Sequence, residues 1–212
     1  MSEYVSEESD DKQVRNRLLE AGSELFLEKD FHSVSLREIA EKAQATSAMV
    51  NYYFKSKHGL FEEMVIYQYG KIMNTFAEDA LKGEPLDHVV IIKKVLKVYR
   101  DNPGLAHFIV KTSAIQSGPG SQFLRDMFHF EKDMTEKMAV EHKQKGIVRE
   151  EVDVEVMRIL SICVTIFPAY MADGLRSLYG SDEEYDDFEN RFANVVGSLM
   201  SKAVYHDHVK FK

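Results

Sequence analysis

"SLREIAEKAQATSAMVNYYFKSKHGLF", Ser35 to Phe61, decides how the rest of the chain is read. Ser35 followed three residues later by Glu38 is the pattern of a capping box. The short helix it opens, "LREIAEKA", sets Leu36, Ile39, Ala40 and Ala43 on one side. Ala40 and Ala43 are small, so another helix can cross closely there. "QAT" makes a turn, and Thr46 or Ser47 caps a second short helix that runs through Tyr53 with Ala43, Val50 and Phe54 facing inward. Two short helices joined by a tight turn and stacked on a longer first helix form a helix-turn-helix. Ser56 then caps a fourth, much longer helix over 57–82, which Gly83 and Pro85 end.

Upstream, Val14, Leu18, Leu19, Ala21, Leu25 and Phe26 form a helical stripe over 12–28, with Asp10 and Asp11 placed to cap it. It stops near "KDF", where Asp30 suits a left-handed helix end. Downstream, the spacing predicts helices over 86–101, 104–117, 121–144, near 153–179 and over 182–205. "DNPG", "SGPGS" and "KGIVREEVD" interrupt them. The helix near 153–179 is apolar nearly all round, with Ile159, Leu160, Cys163, Val164, Ile166 and Phe167, and such a helix needs cover on every side. Cys163 reads there as a small apolar filler. Pro168 removes one helical hydrogen bond and predicts a kink. No strand pattern is present, so the fold class is all-α with about nine helices.

The 212 residues suffice for one sizeable core or for a small domain joined to a larger one. The formal net charge is −8, unevenly spread: −5 over residues 1–11, +2 over 12–60 and −5 over 61–212. The one net-positive region holds the opening motif, which is where a nucleic-acid footprint would lie. Residues 1–11 read as a disordered acidic arm, 12–58 as a helix-turn-helix domain and 59–212 as a larger helical domain. A single cysteine excludes an internal disulfide and cysteine-rich zinc sites, in keeping with a reducing cytoplasm. The acidic start lacks a signal-peptide pattern, and no apolar run approaches the roughly 18 residues of a spanning helix, so a cytosolic location is expected. Glycine-rich phosphate loops, G-x-S-x-G and two-histidine zinc helices are absent, which argues against an enzyme and implies no metal or cofactor. His206 and His208 near the end are too few to hold a metal.

The Ser35–Phe61 stretch, with "RLLEAGSELFLEKDF" before it, resembles the DNA-binding signature of the tetracycline-repressor (TetR) family over roughly residues 12–62. The resemblance implies a small N-terminal reader and a larger C-terminal domain that dimerises and binds an effector. It also implies that the third helix enters the major groove and that the fourth begins beside a phosphate. Ser47, Ala48, Met49 and Asn51 are then the candidates to face base edges, an asparagine pairing with adenine and apolar atoms meeting a thymine methyl. Tyr52, Tyr53, Thr46 and Arg37 are candidates for the phosphate backbone. Lys57, in the first turn of the fourth helix, would add charge where unpaired N–H groups already favour an anion. For Tyr52 and Tyr53 core packing competes with DNA contact; for Phe54 core packing is the reading. The family places glycine where this chain has Asp30 and Gln44, which bears on the aim of the third helix.

By the same resemblance, Met64, Tyr67, His107, Phe108, Phe128, Met134, Met138, Phe167 and Tyr170 are candidates to line an effector pocket, although such spacing equally suits ordinary core. Phe188, Phe192, Val195, Val196, Leu199 and Ala203 recur at three- and four-residue steps and form the candidate dimer stripe. The resulting expectation is a homodimeric repressor that a small, largely apolar effector releases from a palindromic double-stranded DNA site. Two other readings stay open: a DNA-binding regulator without a ligand, and a helical protein–protein adaptor that no longer grips DNA.

Overall fold

Helical periodicity over most of the sequence becomes ten α-helices in the computed structural model, which describes residues 2–114 and 121–211, and side chains within these except at 2–10 and 76–82. In chain order they are α1 (Ser2–Glu28), α2 (Leu36–Lys42), α3 (Ser47–Phe54), α4 (Lys57–Lys82), α5 (His88–Asp101), α6 (Leu105–Ala114), α7 (Ser121–Gln144), α8 (Val154–Tyr170), α9 (Ala172–Arg176) and α10 (Asp182–Val204). A 3-10 turn, Phe31–Ser33, separates α1 from α2. No strand forms among the described residues; the one ladder-like contact is a bridge between Val148 and Tyr205.

The chain divides into two compact units. The first comprises Met1–Gly70 and His107–Arg125. In it α1 buries Leu18, Ala21, Leu25 and Phe26, α2 buries Ile39 and Ala40, and α3 buries Val50 and Phe54. Leu60, Phe61, Met64 and Val65 of α4 are buried as well. Phe61 meets Phe26 edge-on at 4.9 Å, Phe31 at 5.1 Å and Phe108 of α6 at 5.8 Å, an arrangement that aromatic rings favour over face-to-face contact. An ion pair between Asp30 and Lys111 links the end of α1 to α6.

The second unit comprises Lys71–Ala106 and Asp126–Lys212. Its core holds Ile92 and Leu96 of α5 with Ala193 and Met200 of α10, and Met157 and Val164 of α8 pack against them. At Gly197 α10 rests against the main chain of α5. A Cβ there would lie 2.6 Å from both the Cα and the backbone nitrogen of Val89, so only glycine fits without moving main chain. The helix starts carry the side chains that the orphan N–H groups need. Asp87 accepts from the Val89 N–H at 2.9 Å, Asp153 from Val156 at 3.0 Å and Ser181 from Glu184 at 3.3 Å. Beyond α10, the Tyr205 hydroxyl accepts from the Leu86 N–H and donates to the Leu86 carbonyl, both at 3.1 Å. His88 lies beside it, its Nδ1 3.1 Å from the Ser201 hydroxyl.

Four expectations from the sequence change here. Helix α1 runs back to Ser2, so Asp10 and Asp11 lie inside a helix rather than capping one. Asp30 is extended (φ −69°, ψ 149°) and not left-handed, because the 3-10 turn takes over where α1 ends. The single helix expected near 153–179 divides: α8 holds Pro168 inside it and stops at Tyr170, and α9 follows after Met171. Cys163 is exposed, not a filler, since α8 is covered on one side only within the chain. Val156, Ile159, Leu160 and Phe167 are exposed on it, as are Val195 and Leu199 on α10.

Gly197→Ala should destabilise the second unit by about 1–3 kcal/mol through overpacking, read as a lowered urea midpoint with an unchanged slope. A pH effect should come from His88, which burial pushes down to about 4. Its ordinary value is about 6.5, so the unfolded chain takes up a proton that the folded one refuses. The stability it contributes is present above about pH 6.5 and is lost as pH falls towards 4. Between pH 7 and 4.5 the wild-type chain should lose about 2 kcal/mol more than His88→Gln, measured by urea unfolding.

Candidate nucleic-acid interface

Helix α3 has eight residues, too few to hold a helical shape unaided in water. Val50 and Phe54 are fully inward, which fixes the opposite side of the helix outward. Ala48, Met49, Asn51 and Tyr52 are exposed, while Ser47 and Tyr53 are half-buried. Tyr52 is the most open of the large residues on α3, at 68% exposure, so core packing does not explain it. Its ring touches Tyr53 edge-on at 4.9 Å.

The turn before α3 shows how the sequence sets its aim. Ser35 caps α2 as expected, its hydroxyl accepting from the Glu38 N–H at 3.1 Å. The Glu38 carboxyl is held below its ordinary range by Lys29, and the Ser35 backbone adds to this, completing the capping box. At the other end of α2 the Ala45 N–H donates to the Ala40 carbonyl at 2.8 Å and the Gln44 N–H to Glu41 at 3.2 Å. That pair of bonds is a Schellman motif, which demands a left-handed residue, and Gln44 supplies it with φ 53°. Of the two positions where the family places glycine, Gln44 is thus left-handed and Asp30 is not. Thr46 occupies the cap position of α3, but its side chain makes no capping bond there. The exposed hydroxyl is open to other acceptors and donors.

At the start of α4, Ser56 caps the helix by accepting from the Gly59 N–H at 3.0 Å. Lys57 follows, its ammonium 4.4 Å from the centre of the Phe31 ring. Partial burial there pushes Lys57 below its ordinary range. Most other cations of the region are neutralised locally: Arg37 by Glu41 at 2.7 Å, Lys42 by Glu24 at 2.7 Å, Arg15 by Glu63 and Lys29 by Glu38. Lys55 and Lys57 have no carboxylate partner among the described residues. Lys55 was not singled out in the sequence. It is exposed and left-handed (φ 67°) at the α3–α4 junction. The signal lay in "FKSK", since a capping serine directly after a helix forces the residue between into a tight reversal. Phe31 was missed as well, because nothing local ties the ring to Lys57, which lies 26 positions away.

Tyr53 has a partner that periodicity does not reveal. Its hydroxyl donates to the Asp11 carboxylate of α1 at 2.5 Å.

The candidate pocket residues fall in both units. Met64 and Phe108 are buried in the first unit, where Tyr67 and His107 are exposed. In the second, Phe128 and Met138 are half-buried, whereas Met134, Phe167 and Tyr170 are exposed. Of the candidate dimer stripe, Val195, Leu199 and Ala203 are exposed, and Phe188 is half-buried. Phe192 and Val196 turn partly towards the α5–α10 core.

Residues 18–64 match the family described as "Bacterial regulatory proteins, tetR family". The chain is 29% identical over 108 residues to "Probable HTH-type transcriptional regulator YttP" of Bacillus subtilis (strain 168). That alignment covers 49% of this chain and 52% of that protein, so it spans about half the length of the relative. Among solved structures, Salmonella enterica GusR superposes with a TM-score of 0.67 at 18% identity, over 90% of this chain and 95% of that one. The ketosteroid transcriptional regulator KstR2 of Mycobacterium tuberculosis gives a TM-score of 0.60 at 13% identity, over 91% and 95%. A TetR family transcriptional regulator from Chloroflexus aurantiacus J-10-fl gives 0.58 at 14%, over 92% and 94%. These structures share the fold. The Bacillus subtilis relative and the last two of these structures carry the words transcriptional regulator in their names.

The two positions where glycine is usual should respond oppositely to its introduction. Gln44→Gly relieves a left-handed side chain and should stabilise by about 1 kcal/mol, raising Tm by about 2–4 °C. Asp30→Gly relieves nothing, loosens the unfolded chain and removes the Lys111 partner, so its Tm should fall. Paired thermal melts would check both signs.

Proposed function

From a chain whose helix-turn-helix is that of the tetR family of bacterial transcriptional regulators, we infer a homodimeric repressor that reads a palindromic DNA site with α3 and is released by a small, largely apolar effector. The observation that carries the DNA reading is the outward face of α3 itself. Small and apolar side chains with one amide, Ala48, Met49 and Asn51, lie exposed between Tyr52 and the turn at Thr46, with Lys55 and Lys57 just beyond. Base edges are read by such amides and methyl contacts, and phosphates are held by hydroxyls and ammonium groups. Arg37 adds a further cation on α2, shared with Glu41.

The apolar sides of α8 and α10 left open within the chain support the dimer. Ile159, Phe167, Val195 and Leu199 are each more than two-fifths exposed, an unusual allocation for a protein that stays single. Pairing these two helices with their copies makes a four-helix bundle around a two-fold axis, and a two-fold protein requires a two-fold site. Ligand control follows from linkage: an effector that prefers a form with misplaced recognition helices weakens DNA binding by the ratio of its two affinities. Helix α4 is the proposed coupler, being one continuous rod from Lys57 to Lys82. Such a regulator acts on DNA in the cytoplasm.

Binding of a fluorescent operator duplex, selected from random sequences, should fall steeply with salt. Lys57→Ala should weaken it about fivefold or more and reduce the salt slope by about one. Tyr52→Phe should cost about two- to tenfold. Binding that ignores salt and both substitutions would instead favour the adaptor reading. Leu199→Glu should yield monomers in sedimentation and lose operator binding with them.

A further inference from the structure

We propose that Asp11 is a competitor for DNA built into the chain: its carboxylate holds the Tyr53 hydroxyl, which must let go before that hydroxyl can serve a phosphate. The inference rests on the reading of α3 as the DNA-facing helix.

The geometry is a direct contact, Tyr53 Oη to Asp11 Oδ1 at 2.5 Å, between residues 42 positions apart. A phenol has one proton to donate, so it serves the carboxylate or a phosphate oxygen, never both at once. The carboxylate is a charged acceptor and makes one of the stronger bonds available to a hydroxyl. It therefore offers Tyr53 in advance much of what a phosphate oxygen would offer. Asp11 also ends the segment 1–11, whose formal charge is −5. A phosphate that approaches Tyr53 thus meets like charge as well as an occupied donor.

Position explains how one aspartate can act there. Helix α1 carries Asp11 about two turns ahead of buried Leu18, so the packing that supports α2 and α3 also fixes the carboxylate. Tyr53 is half-buried on α3 between exposed Tyr52 and inward Phe54, and the bond its hydroxyl makes with Asp11 is exposed. The competition is indifferent to base sequence, because phosphates carry none. It lowers affinity for every duplex and narrows the range of salt over which the protein stays on DNA. A merely structural role for the contact predicts the opposite sign, since loosening α3 would weaken binding.

The test uses the full chain and a fluorescein-labelled mixed-sequence duplex of about 30 base pairs, long enough for two half-sites. Anisotropy at several potassium chloride concentrations gives affinities for wild type, Asp11→Ala, Asp11→Asn, Tyr53→Phe and the Asp11→Ala/Tyr53→Phe pair. Thermal melts identify any variant that fails to fold. Asp11→Ala should tighten binding about three- to tenfold. In the Tyr53→Phe background the same change should gain about threefold less, the remainder being charge alone. Asp11→Asn, which keeps an acceptor and is the milder change for the fold, should fall between wild type and Asp11→Ala. Unchanged or weaker binding by folded Asp11 variants overturns the proposal, as do equal gains with and without the Tyr53 hydroxyl. If wild type and all variants ignore the duplex even at low salt, the DNA reading falls and takes this inference with it; equal gains sink the competitor alone.

Discussion

A two-turn helix has no shape of its own in water, and everything attributed to α3 depends on the burial that holds it. Val50 and Phe54 go into the core with Leu18, Ile39 and Ala43 buried around the same unit, and that burial turns Ala48, Met49, Asn51 and Tyr52 outward. Four or five apolar side chains, each worth roughly 1.5–3 kcal/mol on burial, outweigh the cost of ordering so short a segment. The functional face is thus a by-product of the core: whatever does not pack is presented.

The helix boundaries show how much of this was legible beforehand. Where periodic apolar residues met a clear capping or breaking residue, the reading was close: α4 runs from Lys57 to Lys82 and α7 from Ser121 to Gln144, as the pattern predicts. The Ser35 and Ser56 caps make the bonds their positions require. Misreadings arose where a local signal admitted two outcomes. A proline signals an interruption without fixing its place, and the helix read near 153–179 divides at Met171, three residues past Pro168. An aspartate after a helix can turn left-handed or extend, and Asp30 extends because a 3-10 turn follows it. An all-apolar helix must be covered, but sequence does not say whether its own chain supplies the cover.

The site was legible by a different route. Its residues were placed by resemblance and spacing, whereas their partners came from distant parts of the chain. Lys57 stacks on Phe31, and Tyr53 bonds Asp11, across 26 and 42 positions respectively. Neither pairing leaves a periodic trace. The charge of the region changes meaning in the same way. A net +2 over residues 12–60 looks weak on paper, yet Arg15, Lys29, Arg37 and Lys42 each meet a carboxylate in the fold. Among the described residues Lys12, Arg17, Lys55 and Lys57 meet no carboxylate; Arg17 bonds the Ala43 carbonyl, while Lys55 and Lys57 lie together at the α3–α4 junction.

The notch at Gly197 has a mechanical corollary. Where main chain rests on main chain, no layer of pliant side chains is left between the rods to absorb shear. Helices α5 and α10 should therefore travel together as a keel, and slow exchange of their amides would mark that stiffness. Deformation inside the second unit is then left to its looser members, above all the broken rod at Met171, where two helical pieces share a single pivot.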